Sequence, residues 1–166
     1  MTLLTRRILA CLLDYTIILI YATLIFLIVT SIEPIESFLK TDDPIKGQFI
    51  GFLFLTLPVF FYFYLFEKNK NRATVGKRIF KISLKNIKGS IFKRNLIKFL
   101  PWEIAHLGVH WLLYSSKNSI ATPYWIWICL IAPQLIVICY FISILTSKGT
   151  SSIYDTISKT KLELSQ

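Results

Sequence analysis

Two groups of residues in this chain have types and spacings that could do chemistry. The first is Arg7 with Asp14, seven residues apart and on the same face of a helix. Asp14 interrupts ILACLLDYTIILIYATLIFLIVT (residues 8–30), a run otherwise nearly free of charge. At about 1.5 Å per residue that run is about 35 Å long, enough to cross a bilayer core. A carboxylate at such depth costs about 2.5–3.5 kcal/mol on insertion scales, so it faces protein or water and has a partner. Two roles fit: an ion pair with Arg7 that orients the helix, or a site for a proton or cation. Ala10 and Cys11 share the stripe, and small residues there let another helix come close. The second group is Glu103, His106 and His110, on one helical face in PWEIAHLGVH. Glu-x-x-His and His-x-x-x-His are metal-ligand spacings, but a di-iron centre needs a second such motif and the chain has none. What stays open is a single metal ion, a proton relay through imidazoles that titrate near neutral pH, or a polar interface inside a bundle. In the last case Glu103 would meet Arg7 or a neighbouring basic residue.

Other motifs carry less. Gly76-Lys77 lacks the earlier glycine and the following Ser/Thr of a phosphate-binding loop, so it reads as a juxtamembrane turn with basic side chains on anionic headgroups. Asp155, in KGTSSIYDTISKTKLEL, reads as a surface acid or a helix cap near Lys148 and Lys159. There is no Gly-x-Ser-x-Gly, no Cys–His pair at catalytic spacing and no nucleotide fingerprint. A hydrolase or transferase reading has no support, and no cofactor is implied.

The elements that must position these residues follow from composition. The chain has 166 residues, 54% of them hydrophobic and 15% aromatic. With a mean hydropathy of +0.59 it reads as an integral membrane protein in one domain. Spans are expected at about 8–30, 48–66 and 124–146, with a short, polar candidate at 99–114. The Arg6–Arg7 start precedes an apolar stretch too long for a signal peptide, so it reads as a retained first span. The net charge of +10 is clustered: 16 of 19 Lys/Arg fall in Arg6–Arg7, Lys68–Lys98 and Lys148–Lys161. Cytoplasmic placement of those stretches accounts for the imbalance better than nucleic-acid binding does. Cys11, Cys129 and Cys139 lie in apolar runs and read as small buried hydrophobes rather than disulfide partners.

Segment 67–98 is the one substantial polar region, with eleven basic residues and a single acid, Glu67. Its alternation from Ile79 to Lys85 predicts a short strand, and Asn86-Ile87-Lys88-Gly89 supplies turn chemistry for a small hairpin. TKLEL (160–164) reads as a further strand able to join it. Two observations favour four spans over three. Four put the basic tail on the same side as the other basic stretches, with both termini cytoplasmic. Trp111 and Tyr114 also face Tyr124, Trp125 and Trp127 across a short loop, as two spans meeting at one interface would.

Three blocks in order resemble the RDD family of bacterial membrane proteins. Arg7 to Tyr15 resembles an opening R-x-x-A-x-x-x-D block. Phe66-Glu67 with Thr74-Val75-Gly76-Lys77-Arg78 and Lys81 to Leu84 resembles a T-P-G-K segment and its following strand. Lys148-Gly149 through Ile153-Tyr154-Asp155 to Thr160 resembles a closing block with a second aspartate. Val75 stands where proline is usual, and Ser158-Lys159 where a small Ala-Gly pair is usual. The resemblance implies an all-α membrane protein of about four spans with a small cytoplasmic β-hairpin element, in a bacterial inner membrane. Its activity is expected to be transport of protons, small cations or other small solutes, with Arg7, Asp14 and Asp155 as signature residues. So thin a bundle would work as a homo-oligomer. The rival expectation is a non-transporting scaffold, assembly factor or regulator; a metal-dependent enzyme ranks below both.

Overall fold

The computed structural model describes residues 1–33, 41–86 and 89–165. The first helix, α1 (Leu3–Ser31), starts where the Thr2 hydroxyl accepts from Thr5 N at 3.2 Å. The second crossing opens at α2 (Pro44–Gly51), whose N-cap Asp43 accepts from Ile45 N at 2.8 Å, with Pro44 at the first position, where its missing N–H costs nothing. It passes through a π turn (Phe52–Thr56) into α3 (Leu57–Lys68) without a break. The short helix α4 (Val75–Ile79) and strand β1 (Ile82–Asn86) follow. Then come two long helices, α5 (Ile91–Lys117) and α6 (Tyr124–Thr146), and a tail made of α7 (Ile153–Ile157) and β2 (Thr160–Leu164).

Three helices are long and apolar enough to cross a membrane: α1, the continuous Pro44–Lys68 helix, and α6. Their outward faces are apolar and uncovered, as at Leu19, Phe26, Phe49, Ile128 and Leu135. That is the pattern of a multi-pass membrane protein, whose spans satisfy backbone groups internally and turn hydrocarbon to lipid. The helix expected at 99–114 is longer than its apolar part, because Ser90 caps it at Lys93 N and it runs on to Lys117. Arg94 at its start bonds Glu67 at the end of α3, and Lys117 at its end pairs with Asp42 just before α2, at 2.5 Å. α5 therefore retraces the second crossing from end to end. Its polar inner face is why hydropathy alone understates it.

Prolines mark where the helices are stitched together. Pro58 cannot bond the Phe54 carbonyl, and the Tyr21 hydroxyl donates to that oxygen from α1 at 2.7 Å. Pro101 likewise frees the Ile97 carbonyl, which accepts from the Tyr140 hydroxyl of α6 at 3.1 Å. Gly108 lets α5 and α6 approach closely, since a Cβ there would stand 3.0 Å from the Leu130 side chain. Trp111 meets Trp125 edge-on with centroids 5.4 Å apart, closing the α5–α6 hairpin at the expected aromatic interface.

A two-stranded antiparallel sheet is present, but strand 82–86 does not fold back on its own segment. β1 pairs with the tail strand β2, with Ile82 opposite Leu164 and Leu84 opposite Leu162. The residues after the Asn86–Gly89 segment, where a hairpin needs its second strand, form the first turn of α5 because Ser90 caps it; Ile87 and Lys88 lie outside the described residues, as do residues 34–40. Ile82, Leu84 and Leu162 bury one face of the sheet against Ala10 of α1. The cysteines are free, and Cys11 and Cys139 are exposed on helix faces rather than buried. Beside a lipid phase an exposed thiol costs little, so burial was the wrong inference from apolar context.

Candidate functional site

A chain of five buried charges joins five helices at the basic end of the bundle. Glu67 is 0% exposed and accepts from Lys77 Nζ, from Arg94 Nη1 at 2.6 Å and from Asn95 Nδ2 at 2.9 Å. Arg94 then donates through Nε to Asp155 Oδ1 at 2.6 Å, and Arg7 Nη2 donates to Asp155 Oδ2 at 2.7 Å. The other Arg7 branch reaches the Gly149 carbonyl at 2.9 Å, and Nη2 also reaches the Tyr154 hydroxyl at 3.0 Å. The sequence Lys77–Glu67–Arg94–Asp155–Arg7 thus ties α1, α3, α4, α5 and α7 together. Because Arg7 and Asp155 touch, the two ends of the chain lie on the same side of the bundle.

These contacts correct three expectations. Arg7 pairs with Asp155, not with Asp14. Of the two readings of Asp155, surface acid fails and helix cap holds: it is 0% exposed and accepts from Ser152 N at 2.9 Å in a capping box. Lys77 does not lie on headgroups, because it is buried against Glu67. Burial by itself pushes the Asp155 carboxyl up, yet Arg94 and Arg7 outweigh it and hold the group below its ordinary range. A depressed folded value stabilises the fold fully above the unfolded value of about 4, and the contribution is lost as pH falls through the folded value. The unfolding midpoint should therefore hold between about pH 5 and 7 and fall below about pH 4 as Asp155 protonates. A thermal melt in detergent that stays unchanged to about pH 2.5 would contradict this assignment.

Asp14, 2% exposed, is held by neutral donors. Oδ1 accepts from the Tyr62 hydroxyl at 2.7 Å and from Gly76 N at 2.9 Å, and Oδ2 accepts from the Thr74 hydroxyl at 2.6 Å. Tyr62 of α3 spends its hydroxyl on this carboxylate. Gly76 is required here, since a Cβ would run into the Ala10 carbonyl oxygen and stand 3.0 Å from the Asp14 carboxyl carbon. The small residue at position 10 does admit another element, and that element is α4. Asp14 is thus the acceptor on which the 74–76 turn docks.

The second polar group sits deeper, between α5 and the α2–α3 crossing. Glu103 accepts from Gln48 Nε2 at 2.7 Å and from the Thr56 hydroxyl, which itself accepts from Trp102 Nε1 at 3.1 Å. Glu103 therefore meets neither Arg7 nor another basic residue. The His106 and His110 rings lie tilted against each other with centroids 4.8 Å apart and fill the slots left by two glycines. A Cβ on Gly47 would stand 2.7 Å from His110 Nδ1, and one on Gly51 would strike the His106 ring. Among the described residues no three His, Cys, Asp or Glu side chains form a group that could hold a metal ion, so the metal-site expectation for this trio fails. Instead Gln48 Oε1, His106 Nδ1 and His110 Nε2 are buried with no hydrogen-bond partner.

A comparison with protein families matches residues 1–159, from the opening Arg7 block through the closing Asp155 block. The chain belongs to the RDD family. No curated protein and no solved structure matches it. The three blocks of RDD resemblance are the ones that meet in space, the first and third through Arg7–Asp155 and the first and second through Asp14. Both departures from the RDD pattern have structural consequences. Val75 N donates to the Tyr62 hydroxyl at 3.3 Å, a bond that a proline could not make. Lys159 has φ of 55°, in the left-handed region where glycine is the low-cost residue. Lys159→Gly should therefore stabilise the protein by about 0.5–1 kcal/mol. A denaturant titration in detergent showing a loss instead would mean that the lysine side chain makes a contact worth more than this strain.

Sequence reasoning missed Glu67, Arg94 and the glycine slots. Glu67 carried a signal, as the only acid in a strongly basic segment, and Gly47-Gln48-Phe49-Ile50-Gly51 is a small-xxx-small motif. Arg94 carried none, because it lay outside the apolar run used to place α5.

Proposed function

We propose that this RDD protein moves protons or small cations across a bacterial inner membrane along the Glu103–His106–His110 file. The observation that carries the reading is the set of buried atoms without partners at Gln48, His106 and His110, on one interface with the Glu103 carboxylate. Buried polar atoms left unpaired in hydrocarbon are costly and call for an occupant such as water or an ion in transit. In this reading α5 is a fourth crossing, and both termini and the 67–98 segment face the cytoplasm. Exposed Lys68, Lys70, Arg72 and Lys93 then meet anionic headgroups. A homo-oligomer would complete the walls of the pathway, and the protein acts without catalysis. Arg7, Asp14 and Asp155 are assigned a structural role, since each has its bonding capacity taken up by protein groups.

The test is ion flux and internal pH in proteoliposomes carrying wild type, Glu103→Gln, His106→Ala or Asp14→Asn at matched insertion. Glu103→Gln and His106→Ala should fall to the level of protein-free liposomes while Asp14→Asn keeps flux. Wild-type flux from Glu103→Gln would sink the proposed path. A second reading, a non-transporting scaffold or regulator, is favoured by the continuous pairing of the five-charge chain across five helices, which suits a rigid platform. Absence of flux together with a stoichiometric co-purifying membrane partner would favour that reading.

A further inference from the structure

Lys98 lies on α5 one turn beyond Arg94 and is partly buried; its ammonium has no hydrogen-bond acceptor among the described residues, and Glu67, the acid whose charge reaches it, is already bonded by Lys77 and Arg94. Its Nζ lies 3.2 Å from the centroid of the Phe63 ring and 5.4 Å from that of Phe99. Ring faces attract an ammonium but do not neutralise it. The same side chain lines a cavity of about 450 Å³ between α1, α3, α5 and α6. The rest of its wall is largely apolar: Tyr15, Leu19, Val59, Phe63, Pro133 and Val137. Leu19 is 67% exposed and Val137 50%, so the cavity opens sideways, where the bilayer lies. Above Asp14, α1 is joined to the second crossing by the Tyr21–Phe54 bond, and the cavity occupies the space between that joint and the charge chain. A second, smaller cavity of about 180 Å³, lined by Arg7, Lys77 and Arg94, also reaches Lys98.

An ammonium without a direct acceptor, at the head of a lipid-open apolar slot, specifies its occupant by charge and shape together. A free anion would satisfy the charge but leave the slot unfilled. A zwitterionic lipid would fill the slot but bring its own cation to a place already rich in them. We propose that Lys98 and this cavity form a site for one anionic phospholipid, its phosphate on Lys98 Nζ and an acyl chain along the Tyr15–Leu19 face of α1. The site differs from loose headgroup contact at the exposed lysines, because it selects one lipid molecule and holds it between helices. Its far wall includes Thr56 and Trp102, which bond around Glu103, so the lipid site borders the proposed transport path, but it does not depend on that reading.

Native mass spectrometry of protein purified from nanodiscs reads the retained lipid directly. Wild type given equal phosphatidylglycerol and phosphatidylcholine should retain the anionic lipid about tenfold in preference. Lys98→Gln should abolish that preference, Lys98→Arg should keep it, and Ala22→Phe, which fills the cavity with the charge intact, should lower retention of both lipids. Inorganic phosphate should not displace the bound lipid. An unchanged preference in Lys98→Gln would overturn the proposal, as would unchanged retention in Ala22→Phe or displacement by phosphate alone. Should Lys98→Gln fail to insert, the Ala22→Phe result decides. Because the readout is retained lipid, it is independent of any outcome in the flux assay.

Discussion

Asp155→Ala should cost about 3–5 kcal/mol, the scale at which removing one member of a buried ion pair leaves the rest uncompensated. The five-charge chain holds three cations and two anions, all buried. Taking away Asp155 leaves Arg7, Lys77 and Arg94 facing Glu67 alone, and it also strips the cap from Ser152 N. Against a typical total stability of about 5–15 kcal/mol, that is enough to deplete folded protein. Arg94→Met is the informative contrast. It leaves Glu67 with Lys77 and Asp155 with Arg7, so each acid keeps a cation. Its cost is loss of the bridge between the pairs, about 1–3 kcal/mol. Denaturant unfolding of both variants in one detergent should rank Asp155→Ala as the weaker protein. The reverse order would show that bridging by Arg94 outweighs charge balance.

The same chain shows what residue patterns can and cannot reveal. Apolar length located three crossings because hydrocarbon-facing helices advertise themselves on every side. It cut α5 short because Arg94, Asn95 and Lys98 on its first turns resemble solvated residues, whereas two of them are buried against acids from distant segments. Alternation located both strands, but pairing depends on where the tail returns, and the tail returns because Arg7 holds Asp155 across 148 positions. Hydropathy does not encode such a contact.

The site divides in the same way. Arg7 and Asp14 were legible as notable residues, since a charge within or beside an apolar run needs a reason, whereas Asp155 stood out only through the family resemblance. Their pairing was not, because a shared helical face favours a local partner and the structure uses remote ones. Glu103, His106 and His110 were legible as a trio on one face. Metal spacing is necessary for a metal site but not sufficient: here the imidazoles are turned into the Gly47 and Gly51 slots of α2. The facing pairs, glycines four apart against histidines four apart, are antiparallel complements that only the packed helices reveal.

The second large effect is expected at Asp14, and the choice of substituent separates its two possible roles. Asp14→Leu keeps much of the volume but leaves the Tyr62 hydroxyl, the Thr74 hydroxyl and Gly76 N without their acceptor. An orphaned buried donor costs about 1–3 kcal/mol. The hydroxyls can rotate toward other acceptors while the backbone N–H cannot, so a total of about 3–5 kcal/mol is expected. Asp14→Asn retains Oδ1 for Tyr62 and Gly76, and its amide can donate to Thr74 once that hydroxyl turns round, so about 1 kcal/mol should be lost. An acceptor that docks a turn therefore predicts a severe leucine variant, a mild asparagine variant, and flux retained in the asparagine variant. A cation or proton site predicts the opposite for asparagine: near-wild-type stability with flux gone, because an amide carries no charge to trade. Unfolding titrations and liposome flux on the same two preparations decide between them, and loss of flux in a stably inserted Asp14→Asn would move the ion site from Glu103 to Asp14.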